Sequence, residues 1–128
     1  GDIGRAVHLY SVAAARGFSL SQVNLGRLFL LGEKGVARDR EAGRRLLVLA
    51  AEGGDCDAQM VVGMIHATPA FDAYDLPLAE LWLRRSLGGG KGDARRLLAR
   101  VQQQMRAKGL RGLPDGARPG GDGGGGGV

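Results

Sequence analysis

Apolar residues recur along this chain at the spacing of an α-helix in six stretches. In the first stretch Ala6, Leu9, Tyr10 and Ala13 lie at i, i+3, i+4 and i+7, so they share one helical face. A glycine follows most of the stretches, as is typical of helix ends. The spacing predicts helices over about 2–16, 20–31, 39–52, 57–67, 75–87 and 93–108.

The pattern also has a longer period, because residue types recur at offsets of 37 and then 36. We refer to residues related by these offsets as equivalent positions. They include Gly17, Gly54 and Gly90; Asp2, Asp39 and Asp75; Ala6, Gly43 and Ala79; Leu9, Leu46 and Trp82; and Gly26, Gly63 and Ala99. A period in this range predicts an array of helical repeats, a class of protein that usually binds partners and seldom catalyses reactions.

Two local features agree with helix pairs. Glycine inside a helix costs about 1 kcal/mol relative to alanine, so the small residues at Gly26, Gly63 and Ala99 predict close approach between helices. Asp39 and Asp75 are suited to cap the helices that follow them, because an aspartate side chain accepts hydrogen bonds from free amides of the first turn.

The central repeat resembles the Sel1-like repeat family, a relative of the tetratricopeptide repeat. The matching residues are Ser21, Leu25, Gly26, Phe29, Gly32, Gly35, Val36, Asp39, Leu46, Ala50, Ala51 and Gly54. The resemblance implies an all-α fold, an α-solenoid of stacked antiparallel helix pairs. It divides residues 1–108 into the second helix of a first repeat (1–17), two repeats (18–54 and 55–90) and a final helix (91–108).

The chain also departs from this pattern. His66 and Pro69 stand in the repeat 55–90, which lacks the Gly-Val pair, so the family pattern does not predict the loop between its helices. We expect His66 to replace a packing aromatic. Because residues 1–17 supply only a second helix, we expect the chain to be a segment of a longer array whose first helix lacks its partner.

The last twenty residues, 109–128, hold ten of the 24 glycines and two of the four prolines. This composition cannot bury enough apolar surface to offset the entropy of ordering, so it predicts a flexible tail. The two arginines and two aspartates of this tail cancel, so the net charge of +5 belongs to the repeats. It indicates an acidic partner or, equally well, only a solvated surface rich in arginine.

The sequence offers little reactive chemistry. His8 and His66 have no ligand spacing between them, and Cys56 is the only cysteine, so we predict no catalytic, cofactor-binding or metal-ligating residue and no cofactor. The apolar runs are too short to span a bilayer. A single cysteine suits a reducing compartment, and a cytoplasmic location is the simplest expectation.

The resemblance implies that the chain functions as an adaptor protein, so we predict a non-enzymatic protein interaction module. On the concave face we expect methionines flanked by arginines to bind a protein or peptide partner of acidic and hydrophobic character. The predicted partner-binding residues are Val23, Arg27, Leu30, Met60, Met64, Arg96 and Arg100. The alternatives are core methionines with solvated arginines, or binding of nucleic acid or another polyanion, although the chain has no nucleic-acid recognition motif.

Overall fold

The computed structural model describes residues 2–117, with side chains from residue 4 onward, and within this range it contains six helices and no strand. Each observed boundary lies within one residue of its predicted position, so the six predicted helices are confirmed. The helices are α1 (Asp2–Ala15), α2 (Ser19–Leu31), α3 (Arg40–Glu52), α4 (Cys56–His66), α5 (Leu76–Gly88) and α6 (Ala94–Lys108).

The chain forms two compact units that divide between Ala58 and Gln59. The first unit contains α1, α2 and α3, and in it α2 packs against both of the other helices. The second contains most of α4 together with α5 and α6, which pack against each other. Its core includes Leu76, Ala79 and Leu83 of α5 and Leu98, Val101 and Met105 of α6.

The three equivalent glycines Gly17, Gly54 and Gly90 make the same turn, with φ of +89°, +100° and +102°. In each turn the glycine amide donates to the carbonyl three residues back, and the next amide donates to the carbonyl five residues back. This is the Schellman arrangement, in which a left-handed residue ends a helix and satisfies its last carbonyls. Glycine is favoured there because other residues adopt a left-handed φ only with strain.

The loop before α3 and the loop before α5 each contain an equivalent hydrogen bond, although their sequences differ. The Asp39 amide donates to the Phe29 carbonyl at 2.8 Å, and the equivalent Asp75 amide donates to the His66 carbonyl, also at 2.8 Å. Each aspartate then caps the following helix, since Asp39 accepts from the Ala42 amide at 3.0 Å and Asp75 does the same one repeat later. The second loop therefore closes without the Gly-Val pair.

His66 is buried, as expected for a residue that replaces a packing aromatic, and it also makes a polar contact. Its Nδ1 lies 2.7 Å from the Ala73 carbonyl oxygen. A carbonyl oxygen only accepts, so Nδ1 carries the proton in this contact. His66 thereby ties the longer connection between α4 and α5 back to the end of α4.

The segment after α6 is only partly described. Residues 118–128, the last part of the predicted flexible tail, lie outside the described residues. Residues 109–117 form no helix, but arginines of α5 hold them. Arg84 donates to the Leu113 carbonyl at 2.7 Å and forms an ion pair with Asp115, and Arg85 donates to the Ala117 carbonyl at 2.9 Å. The glycine-rich composition gave no sign of these contacts.

Candidate functional site

In the first unit, the predicted partner-binding residues lie on α2 at i, i+4 and i+7 but differ in exposure. Arg27 is exposed and Leu30 is half-buried. Val23 is only 6% exposed, so its side chain belongs to the core and does not face a partner as expected. The reason is that α2 packs against two helices, α1 and α3, which widens the arc of its surface that is buried.

In the second unit, the predicted residues lie on α4 and α6. Met64 is 43% exposed, and Arg96 and Arg100 are exposed one turn apart on α6. Met60 is partly buried and packs against the core cluster of α5 and α6. Met60 therefore serves packing, whereas Met64 presents an adaptable apolar surface to solvent.

Arg27, Arg96 and Arg100 form no ion pair within the part of the chain that the structure describes. Other arginines are engaged, because Arg44 and Arg45 both pair with Glu41 on α3. The hydrogen bond and charge of Arg44 hold the pKa of the Glu41 carboxyl below its usual range. The three predicted arginines can therefore pair with a carboxylate of a partner molecule.

A cleft of about 570 Å³ opens beside α1 in the first unit. Its lining is mixed, with apolar side chains and charged groups of both signs. The lining residues are Ala6, Tyr10, Asn24, Arg27, Leu28, Glu33 and Lys34. Of these only Arg27 was among the predicted site residues.

The helix face beside this cleft is unusually open for its place in the repeat. Leu9 is 59% exposed, whereas its equivalent Leu46 is half-buried and Trp82 is 1% exposed. Residue type did not signal this difference, because the equivalent positions Leu9 and Leu46 carry the same residue. A leucine stands where the other repeats bury their residue more deeply.

The next position on the same face follows the same trend. Tyr10 is half-buried, while its equivalents Leu47 and Leu83 are fully buried. Leu47 lies against α2, because a Cβ at Gly26 would be 3.0 Å from its Cγ. Leu83 lies against α4 in the same way, since a Cβ at Gly63 would be 2.8 Å from its Cγ. Tyr10 instead lines the cleft that α1 shares with α2.

The described residues form neither a metal-binding cluster nor a membrane-spanning helix. Within residues 4–117, no three side chains of histidine, cysteine, aspartate or glutamate gather where they could hold a metal ion. Cys56 is half-buried at the start of α4, His8 lies on α1, and His66 is the last residue of α4. None of the six described helices has the length and apolar character needed to cross a bilayer.

The fold is similar to that of a solved Sel1 repeat protein from Oxalobacter formigenes. The two chains are 26% identical, and the superposition has a TM-score of 0.68. It covers 86% of this chain and 80% of the other. No protein-family model matches the chain, and no curated protein matches its sequence. The similarity confirms the all-α repeat fold of the α-solenoid class and its resemblance to Sel1-like repeats.

Proposed function

Because the chain has the fold of a Sel1 repeat protein, we propose that it is a non-enzymatic protein interaction module. Repeat folds of this kind present extended surfaces, and their function is generally to hold other proteins. The observation that carries the proposal is the structural similarity over 86% of the chain. The specific partner is a peptide segment that combines acidic and hydrophobic residues.

The character of the partner is inferred from exposed side chains that each unit offers by itself, on α2 in the first unit and on α4 and α6 in the second. Met64 offers an adaptable apolar contact. Arg27 on α2, and Arg96 and Arg100 on α6, offer planar guanidinium groups that bind carboxylates through two hydrogen bonds. Leu30 is half-buried and adds apolar surface beside Arg27, whereas Val23 and Met60 support the helices from within.

The test is binding to an array of labelled peptides in which aspartates or glutamates flank leucine or phenylalanine. We expect selected peptides to bind the unchanged chain, and the triple variant Arg27→Glu, Arg96→Glu, Arg100→Glu to bind them about tenfold more weakly or worse. Met64→Ala should weaken the same peptides by a smaller factor, because only part of its side chain is free to be buried.

A matched control separates a local site from the overall charge. The triple variant Arg5→Glu, Arg16→Glu, Arg111→Glu changes the net charge by the same amount, and all three side chains are exposed. It should keep peptide binding. If both triple variants lose binding equally, the attraction follows net charge, and the chain binds polyanions instead. If neither loses binding, the arginines have no part in it.

A further inference from the structure

Two neighbouring arginines of α5 hold the segment that follows α6 by its main chain. Arg84 donates to the Leu113 carbonyl at 2.7 Å. Arg85 donates to the Asp115 carbonyl at 2.8 Å and to the Ala117 carbonyl at 2.9 Å. Three alternate carbonyls are thus bound by two side chains. Every residue offers a carbonyl oxygen, so these contacts depend on the path of the chain, and a different sequence can make them.

The held segment forms a turn that includes one carboxylate. The Ala117 amide donates to the Pro114 carbonyl at 2.9 Å, so residues 114–117 form a turn with the sequence Pro-Asp-Gly-Ala. Proline, aspartate and glycine favour turns, because proline fixes φ and the other two tolerate the backbone angles of turns. The Asp115 carboxylate also pairs with Arg84. The arginines therefore contact a negatively charged turn that its own sequence favours.

A glycine precedes the turn at a position where no side chain fits. A Cβ at Gly112 would clash with the Glu80 Oε1 atom. The Glu80 carboxylate does not move aside freely, because Gln102 of α6 donates to it at 3.1 Å and its side chain is only 13% exposed. The surface therefore selects a glycine two residues before the proline.

The neighbours on α5 position both arginines independently of the segment. The charged residues of α5 are Glu80, Arg84 and Arg85. The Arg84 Nε lies 3.8 Å from the Glu80 carboxylate, which leaves its two Nη groups to the segment. The Arg85 guanidinium lies 5.6 Å from the centre of the Trp82 ring. Because two arginines outnumber one acid, the surface stays positive when the segment leaves, and its donors stay in place.

The segment buries little of its own surface on these arginines. The Asp115 side chain is 91% exposed, Pro114 is exposed, and Leu113 and Ala117 are half-buried. Water competes for each of the hydrogen bonds, so each contributes little to the attachment. Because the segment is joined to α6, its effective concentration at the arginines is on the order of millimolar. A partner that presents the same turn and makes further contacts can therefore displace it.

We propose that Arg84 and Arg85 form a peptide-binding site for an exposed loop of a partner protein with the sequence Gly-x-Pro-Asp-Gly. Residues 112–117 occupy this site until the partner loop displaces them, so the segment regulates access to it. Exchange of the segment between two copies adds no contact and loses its effective concentration, so the occupant is a different protein. The site shares no residue with the peptide site proposed above, and either proposal stands without the other.

The probe is a peptide with the sequence of residues 112–117, acetylated and amidated at its ends. It is titrated by NMR into two full-length chains, the unchanged one and the released variant Gly112→Val, Asp115→Lys. In the released variant a clash with Glu80 and a positive charge opposite Arg84 release the segment, while α5 is unchanged. We expect this variant to bind the peptide about tenfold more tightly than the unchanged chain, because nothing competes for the site.

A matched double variant controls for the substitutions themselves. Gly92→Val, Asp72→Lys makes the same two changes elsewhere in the second unit. There Asp72 is exposed, and a Cβ at Gly92 would meet no atom within 4 Å. This control should bind the peptide as weakly as the unchanged chain does. Circular dichroism of all three chains checks that their helices remain folded.

Substitution of the arginines tests the site directly. Arg84→Ala, Arg85→Ala in the released variant should weaken peptide binding at least tenfold, because the donors to three carbonyls and one carboxylate are lost. Arg95→Ala, Arg106→Ala removes two exposed arginines of α6 from the same variant and should leave binding unchanged.

Two further measurements test the seating of the turn and the competition. A peptide with Gly112→Val should bind the released variant at least tenfold more weakly, because its side chain meets Glu80. In the unchanged chain, excess parent peptide should accelerate trypsin cleavage after Arg111 several-fold, since it displaces the segment. The peptide contains no lysine or arginine, so trypsin does not cleave it.

Three results would overturn the proposal. The first is equal peptide binding by the released variant and the unchanged chain. The second is an equal loss of binding after the Arg84, Arg85 substitutions and after the Arg95, Arg106 substitutions. The third is a dimer of the unchanged chain in sedimentation that the released variant does not form, because the occupant is then the segment of a second copy.

Discussion

At the scale of single residues, the glycines of this chain serve two different physical purposes. Gly17 has a left-handed φ and open space around it, so the turn requires its backbone freedom. Gly26 and Gly43 have helical backbones, and what they provide is space between α2 and α3. A Cβ at Gly43 would lie 2.6 Å from the Gly26 carbonyl oxygen and 2.7 Å from the Leu30 amide nitrogen. Both are backbone atoms, which cannot move aside without shifting a helix.

Gly43→Ala should therefore destabilise the chain, although alanine is the better helix former. Separating the two helix backbones costs about 1–3 kcal/mol, and the gain in helix propensity offsets up to about 1 kcal/mol of it. Gly4→Ala is the control, because Gly4 lies in α1 and a Cβ added there would meet no neighbouring atom within 4 Å. It should be neutral or slightly stabilising. Urea denaturation of both variants measures the difference, and equal effects would contradict the packing argument.

At the scale of elements, the starts of the helices are not all stabilised alike. Asp39 accepts a hydrogen bond from the Ala42 amide at 3.0 Å, and Asp55 accepts one from the Ala58 amide at 2.8 Å. Asp93 precedes α6 in the same way, but its backbone is helical and its side chain makes no capping bond. An aspartate before a helix is therefore a capping residue only where its backbone is extended.

Asp39→Ala should lower the free energy of unfolding by about 1 kcal/mol, since it leaves first-turn amides without their side-chain acceptor. Asp93→Ala should have a smaller effect, because no capping bond is lost there. Thermal and urea unfolding of the two variants under the same conditions provides the comparison. A loss at Asp93 as large as that at Asp39 would show that charge near the helix start matters more than the hydrogen bond.

At the scale of the whole molecule, residues 109–117 extend the ordered structure beyond the last helix. Asp115 has a side chain that is 91% exposed, so its ion pair with Arg84 contributes little by itself. The bonds from Arg84 and Arg85 to backbone carbonyls provide a firmer attachment, because the Arg84 side chain is only 29% exposed. A segment with almost no apolar core is thus held mainly by hydrogen bonds from α5.

Arg84→Ala should release this segment while the helices stay folded. Loss of a charged hydrogen bond of about 1.5 kcal/mol increases the open population about tenfold, so trypsin should cleave after Arg111 about ten times faster. Arg95→Ala, at an exposed arginine of α6, is the control and should leave the rate unchanged. A cleavage rate that does not respond to Arg84→Ala would mean that the described contacts do not restrain the segment.

Prediction from sequence succeeded for the helices and was incomplete for the candidate site. Helix boundaries depend on local signals such as the left-handed glycine at position 54 and the cap at Asp39. The exposure of Val23 depends on something else, namely that α2 has neighbours on two sides. A helical wheel of α2 alone assigns Val23 to the outer face, because it contains no information about the second neighbour.

The sequence by itself determined the six helices, their turns, the repeat and the close helix approach at Gly26 and Gly63. These features depend on residue type at fixed spacing, which a periodic chain displays directly. The prediction of close approach at Ala99 is wrong for the described residues, because Ala99 is exposed. Only the tertiary structure decided that Leu9 remains exposed, that Val23 is buried and that Arg84 holds residues 113–115. Each of these outcomes depends on which surfaces meet between elements distant in sequence, and burial is a property of the pair of surfaces rather than of either one alone.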